Sequence, residues 1–442
     1  MDLSNICLIL AILTPLSILL IRDYMKGLYV SVFLLVFLSH YLKIETPGSF
    51  PDFPIHRLIM ILLIIVWLIK GNTNKKTVGV PFVKLFIFYL ITNFISLIIS
   101  VDFISSLKQY LSYIIELFLY YLIIFKSIEK RDDALKLLNY ICFGLVLVAF
   151  FATIEKYTGF NPVNKFVRGY IKPENVGSVI STYPHRILLG YAMAMAFPIG
   201  LALIDKVKKN RVKHIIAWCV TSLFLASCFF ASSRGPWIGT IIAGLMIFSL
   251  GSSSSRKKMM IITMFCILTF IIRPGVLETL DYNANATFEK GSIKGDNYQY
   301  RWELWEIAYS EIIKSPERAL WGYGQGKSSA MNISADVSVY RHRADILSWD
   351  NNYAWYLVAT GFVGLTSVAL LYGSVLKQLF ALRRKLSAYD KDIMTCIISS
   401  IMVFIFMMSN VYVFAPQLNF LFWALVVIGI KLGKNSESYL HQ

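Results

Sequence analysis

Arginines in short turns between apolar runs are the side chains of this sequence with the most definite chemistry. Arg234 sits in Ser232-Ser233-Arg234-Gly235-Pro236. A guanidinium there is permanently charged and can hold a phosphate or diphosphate through paired hydrogen bonds; the other reading is an interfacial anchor. Gly235 frees the backbone to turn, and Pro236 suits the first turn of the next helix. His185 and Arg186 close Ser181-Thr182-Tyr183-Pro184-His185-Arg186 at the start of another apolar run, where the amides of a helix N-terminus favour an anion. Either can equally be a solvated loop charge.

The long polar interval 274–352 adds more. Arg301 to Lys314 reads as a helix stopped by Ser315-Pro316. On a helical wheel Leu304, Ala308, Ile312, Trp305, Tyr309 and Trp302 share one arc, opposed by Glu303, Glu306, Ser310 and Lys314. Arg301 falls in the apolar arc, where it needs an anionic partner or else snorkels from a loose first turn. Trp321-Gly322-Tyr323-Gly324-Gln325-Gly326 is a tight turn that can bring backbone amides near a ligand. Arg341-His342-Arg343 is a further basic cluster. Asp350 has two readings: it caps the helix that follows, or it accepts a proton from an incoming hydroxyl. His185 and His342 are the reserve bases.

The rest of the chain must position these residues. Of its 442 residues 57% are hydrophobic and 16% charged, and apolar runs of about 18 residues recur, too long and too free of charge for a soluble core. Spans are expected near 3–21, 28–42, 57–70, 80–100, 107–125, 134–154, 187–204, 214–232, 236–250, 259–273, 353–376, 393–413 and 419–432. The fold class is therefore all-α and polytopic, with about 12–13 transmembrane helices in a single membrane domain, 1–442. One outer-face insertion, 274–352, carries short amphipathic helices and the site. Charges within spans are few; Lys84, Lys108, Glu116 and Lys136 lie near ends or isolated. The first segment, with no basic stretch before it and no small-residue cleavage pattern, reads as a retained span.

The net charge of +17 sits mostly in every second connection, as in Lys206 to Lys213, Arg256 to Lys258 and Lys377 to Lys391. Those connections are cytoplasmic by the positive-inside rule, so nucleic acid is not the implied partner. The outward loops are then 43–56, 101–106, 155–186, 232–235, 274–352 and 414–418. All six cysteines fall in apolar runs, which indicates neither a disulfide framework nor a metal site. No nucleotide-binding motif is present.

Taken in order, Pro-His-Arg-Ile, Ser-Arg-Gly in a tight turn, Arg301 with Trp302 and Trp305, Gly-Tyr-Gly, and Asp-Asn-x-Tyr leading into Ala359 to Leu365 resemble the O-antigen ligase and polysaccharide polymerase superfamily, over about Ser181 to Leu365. The resemblance implies a glycosyltransferase on the outer face of the bacterial inner (plasma) membrane. It would move a glycan from undecaprenyl diphosphate to an acceptor hydroxyl, without cofactor or metal; displacement from the face opposite the diphosphate would invert the anomeric centre. Its partners would be the lipid-linked donor, a glycan or lipid acceptor, membrane lipids, and a chain-length regulator or other assembly proteins.

Arg234 and Arg301 correspond to arginines that hold the diphosphate, with Asp350 as the first candidate base. Arg186, His185, Arg341, His342, Arg343, Tyr323, Trp305, Asn351 and Tyr353 are expected substrate-binding residues. The ligase branch has a His-Asn pair where this chain has Asp350-Asn351, so the polymerase reading comes first and the ligase second. From other classes, a lipid-linked-sugar transporter would place polar residues at midplane, and a sensor or scaffold would use the outer loop only to bind.

Overall fold

The computed structural model describes residues 3–45, 52–70, 79–161, 163–164, 167, 178–272, 275, 278, 285, 293–326, 328–337, 342–411 and 416–439. The chain folds into α1 (Leu3–Arg22), α2 (Tyr24–Phe37), α3 (Ile55–Lys70), α4 (Val83–Ile98), α5 (Phe103–Ser112), α6 (Tyr120–Ser127), α7 (Arg131–Thr158) and α8 (Arg186–Lys206). There follow α9 (Arg211–Phe230), α10 (Arg234–Leu250), α11 (Ser253–Ile272), α12 (Ile293–Ile312), α13 (Pro316–Trp321), α14 (Asn352–Arg384), α15 (Ala388–Met408) and α16 (Pro416–Tyr439). A π-helical stretch, Tyr113–Leu119, joins α5 to α6. The strands form two small antiparallel pairs, β1 (Lys43–Ile44) with β2 (Phe53–Pro54) and β3 (Ser334–Val337) with β4 (His342–Asp345).

Each expected span falls on a helix, and the protein is an all-α polytopic membrane protein. Among the described residues eight helices are long and apolar enough to cross a membrane, and α2, α4 and α10 are shorter apolar helices. Boundaries follow local chemistry. Asp102, Asn210 and Ser315 accept hydrogen bonds from the amides of Ser105, Lys213 and Arg318, which starts α5, α9 and α13. The helix expected from Arg301 begins eight residues earlier, at Ile293, so Arg301 lies in a formed helix and not in a loose first turn.

In lipid the helices gain little from apolar burial against one another, so small residues that allow close approach decide which ones pack. The run Gly190 to Ala202 makes α8 the buried centre of the bundle. At Gly190 an added methyl would stand 2.6 Å from Pro236 Cγ of α10, and at Gly200 one would stand 2.7 Å from Thr221 Oγ1 of α9.

Polar contacts then sort the connections to two ends. At one, Arg131 makes a paired contact with Asp390, at 2.6 and 3.0 Å, and Lys258 meets Asp205 at 2.5 Å. At the other, Asn351 Nδ2 donates to the Ser409 carbonyl at 2.8 Å and Gln417 Nε2 to that of Thr182 at 3.1 Å.

The second end carries the cap formed by the described part of 274–352. Leu304, Ile307, Ala308 and Ile312 of α12 share a core with Met331, Ile333, Val337, Ile346, Trp349 and the first turns of α14. The buried arc is therefore rotated from the one expected: Ile307 and Glu311 lie inside, while Trp302 and Tyr309 are 61% and 54% exposed. Small Ala308 and slender Leu304 permit the close contact with α14 that the indole and phenol would prevent. Glu311 tolerates burial because the Tyr323 hydroxyl donates to it at 3.4 Å and Lys314 pairs with it. Burial first, and then the Glu311 carboxylate, push the Tyr323 hydroxyl above its ordinary range, which keeps it a donor.

The cap is keyed into a break in α14. Gly361 has φ +65° and ψ −168° inside that helix, which leaves carbonyls of the preceding turn without helical partners. The amides of Tyr323 and Gly324 donate to the carbonyls of Val358 and Ala359, both at 2.9 Å, and Ser96 Oγ donates to Ala359 at 2.6 Å. The glycine-rich turn thus spends two amides on the broken helix rather than presenting them to a ligand.

Candidate functional site

The turn between α9 and α10 sets the first guanidinium. Ser232 has φ +49°, Ser233 is extended, and Arg234 is the first residue of α10, with Gly235 and Pro236 after it. The positive φ falls at Ser232, so Gly235 is not the residue that turns the chain. Its lack of a side chain serves another purpose. A methyl at Gly235 would stand 2.5 Å from the Tyr191 hydroxyl oxygen of α8, and one at Gly239 would stand 3.4 Å from the same ring. Two glycines one turn apart form a slot for a tyrosine.

The second guanidinium comes from the cap. Arg301 lies one turn before Leu304 and two before Ala308 on the buried face of α12. It is close enough for its charge to act on both Arg234 and Tyr191. Like charges brought together favour an anion in the space between them. Arg186 is the first residue of α8, one turn before Gly190, whose face lies on Pro236; its Nη1 is 3.5 Å from Ser178 Oγ.

Among the described residues, Arg186 Nε, Arg301 Nε and the Tyr191 hydroxyl are buried here with no hydrogen-bond partner. Two of them can only donate, and the third can. Unsatisfied buried donors are costly, and three at one end of the bundle describe the complement of an acceptor-rich group.

The remaining expected residues divide. Asp350 is half-buried with φ +36°, a conformation costly outside glycine and eased for Asp, and its Oδ1 accepts from Ser348 Oγ at 2.9 Å. It is not the cap of α14. That role belongs to Asn351, whose Oδ1 accepts from the amides of Tyr353 and Ala354 at 2.9 and 3.1 Å. Tyr353 donates from its hydroxyl to the Ile405 carbonyl at 2.9 Å. Together with Asn351 on Ser409, it ties α14 to α15.

Tyr323 lies under the Arg318 guanidinium at 4.5 Å, and Trp305 packs on the cap core. His185 caps α8 by accepting from the Ile187 amide at 3.2 Å through Nδ1, which requires the tautomer or state with that nitrogen unprotonated. His342 and Arg343 pair by backbone with Val337 and Asp336. Arg341, and the loop cations Lys165, Arg168 and Lys172, lie outside the described residues.

Residues 219–369 match the family described as O-antigen ligase. Over 344 residues, 73% of this chain and 77% of the relative, the sequence is 24% identical to an O-antigen ligase of Salmonella typhimurium strain LT2. Over these residues the chain is similar to the O-antigen ligase family. That similarity supports a membrane glycan-processing enzyme of the glycosyl-transferring kind, acting on a lipid-linked glycan donor and an acceptor. The matched span holds Arg234, Arg301, Asp350 and the break at Gly361, and leaves out His185 and Arg186.

Tyr191 was not singled out in the sequence. Its signal was indirect: glycines 235 and 239, one helical turn apart, ask for a large partner across the interface. Nor is Glu116 isolated. It accepts from Arg57 Nε at 2.7 Å and lies 3.3 Å from His56 Nε2, within the π-helical stretch.

Proposed function

We propose that the protein transfers a glycan from undecaprenyl diphosphate to an acceptor sugar hydroxyl, as a polymerase of surface-polysaccharide repeat units on the outer face of the inner membrane. The observation that carries this reading is the set of buried, unpartnered donors beside Arg234 and Arg301, a preformed demand for phosphate oxygens. In the reaction the acceptor oxygen bonds to the anomeric carbon as the bond from that carbon to the diphosphate oxygen breaks. The bonding pair leaves with the diphosphate, where Arg234 and Arg301 stabilise the growing charge. The hydroxyl proton passes to the Asp350 carboxylate. Attack from the face opposite the leaving group inverts the anomeric centre.

The similarity to the Salmonella ligase over most of its length supports a second reading, transfer of a finished glycan to a lipid acceptor. Asp350, standing where the ligase branch has histidine, favours the polymerase. Purified protein given a labelled lipid-linked repeat unit separates them: longer lipid-linked chains with released undecaprenyl diphosphate support polymerisation. Label passed only to an added lipid acceptor supports the ligase, and no release from any donor removes both.

A further inference from the structure

Tyr191 stands at the head of α10 in a position that packing alone does not explain. Its ring fills the slot left by Gly235 and Gly239, and its hydroxyl is directed at Gly235 in the first turn. The residue is fully buried, and the hydroxyl has no hydrogen-bond partner. A phenylalanine would fill the same slot without leaving a polar atom unsatisfied. A 17-residue helix begins at this point with no side-chain cap from Ser233, and the Arg301 charge bears on the same hydroxyl. Helix N-terminus, guanidinium and hydroxyl converge from three separate elements.

We propose that the Tyr191 hydroxyl donates a hydrogen bond to a phosphate oxygen of the lipid diphosphate held between Arg234 and Arg301. The proposal rests on the reading above and adds a neutral donor that approaches from the bundle core. Arginine charges hold any anion, whereas a hydroxyl fixed by two glycines selects one position for an oxygen. Gly235 of the Ser-Arg-Gly turn is small so that this hydroxyl can reach the head of the helix.

The test uses the full-length protein in lipid nanodiscs, titrated with undecaprenyl diphosphate, and compares wild type with Tyr191→Phe, Arg234→Ala and Arg301→Ala. Loss of one hydrogen bond to a charged group weakens binding by about tenfold to a hundredfold. Tyr191→Phe should show that loss in Kd, with kcat/KM for the glycan donor lowered by a similar factor. Its melting temperature should be unchanged or higher, since no protein partner is lost.

Wild-type affinity and turnover in Tyr191→Phe, alongside failure of both arginine variants, would remove Tyr191 and leave the diphosphate site standing. Undiminished binding in all three variants would remove the diphosphate reading itself. A markedly lower melting temperature for Tyr191→Phe would also overturn the proposal, because it would reveal that the hydroxyl is bonded within the protein.

Discussion

The Gly324 amide donates to the Ala359 carbonyl at 2.9 Å, a bond that exists because α14 breaks two residues later. Gly361 turns at φ +65°, and a methyl there would collide with the Leu320 carbonyl of α13. Gly322, at φ +72°, faces the break so closely that a methyl would stand 2.5 Å from the Val358 oxygen. Backbone and backbone touch with no side chain between them. Irregular helix at membrane depth is tolerated where protein satisfies its polar groups, and here the cap does so.

Gly361→Ala and Gly322→Ala should therefore undock the cap from the bundle. Each substitution meets a disallowed φ and a steric collision, together roughly 2–4 kcal/mol. The expected result is a lower melting temperature and faster proteolysis within 293–350, with α1–α11 still protected. Unchanged proteolysis of the cap in both variants would show that the turn and the break are not a docking joint.

Arg234→Ala and Arg301→Ala should each lower kcat by about a hundredfold to a thousandfold, the range for removing one preorganised donor from a developing anion. Lysine at either position keeps the charge and loses the fork, so its activity should fall between alanine and wild type. Because the Arg301 charge bears on Arg234 and the Arg301 Nε has no partner among the described residues, Arg301→Ala should melt no lower than wild type. Initial rates and melting curves on the same preparations check both halves.

The membrane helices were legible in the sequence because each buries its own backbone bonds, so length and hydrophobicity suffice to find them. The site was legible only in part. Arg234 and Arg301 stood out as charges where charge is unfavourable, but their proximity depends on how the cap docks, and that docking runs through backbone amides at Gly324 and Tyr323. Trp302 and Tyr309 were placed on the apolar arc by hydrophobicity alone, whereas α12 buries its slenderest stripe. Asn351 was hidden behind Asp350: both residue types cap helices, and which one does so depends on a one-residue shift in where the helix begins.

That shift gives a clean pair of variants. Asn351→Ala removes two capping bonds and the tie to Ser409, costing about 1–2 kcal/mol, and should lower stability more than turnover of the folded enzyme. Asp350→Asn leaves the cap intact and removes the proton acceptor, so it should melt like wild type and turn over about a hundredfold to ten-thousandfold more slowly. Full activity in Asp350→Asn would exclude it as the base.

Glu116 supplies the last prediction, which concerns stability. Its carboxylate is buried, with Arg57 and His56 on the same oxygen and Ser112 bonded to Arg57 Nη2 at 2.6 Å. Breaking such a pair by removing one partner strands the other charge, at about 3 kcal/mol, the low end of the usual range because the Arg57 side chain is 28% exposed. Glu116→Gln should therefore melt well below wild type. Arg57→Gln together with Glu116→Gln leaves no stranded charge and should recover most of the loss. If the recovered double variant turned over donor at the wild-type rate, the cluster would be a structural tie between α3 and the π-helical stretch. A recovered fold with lost turnover would instead place it in the path of the substrate.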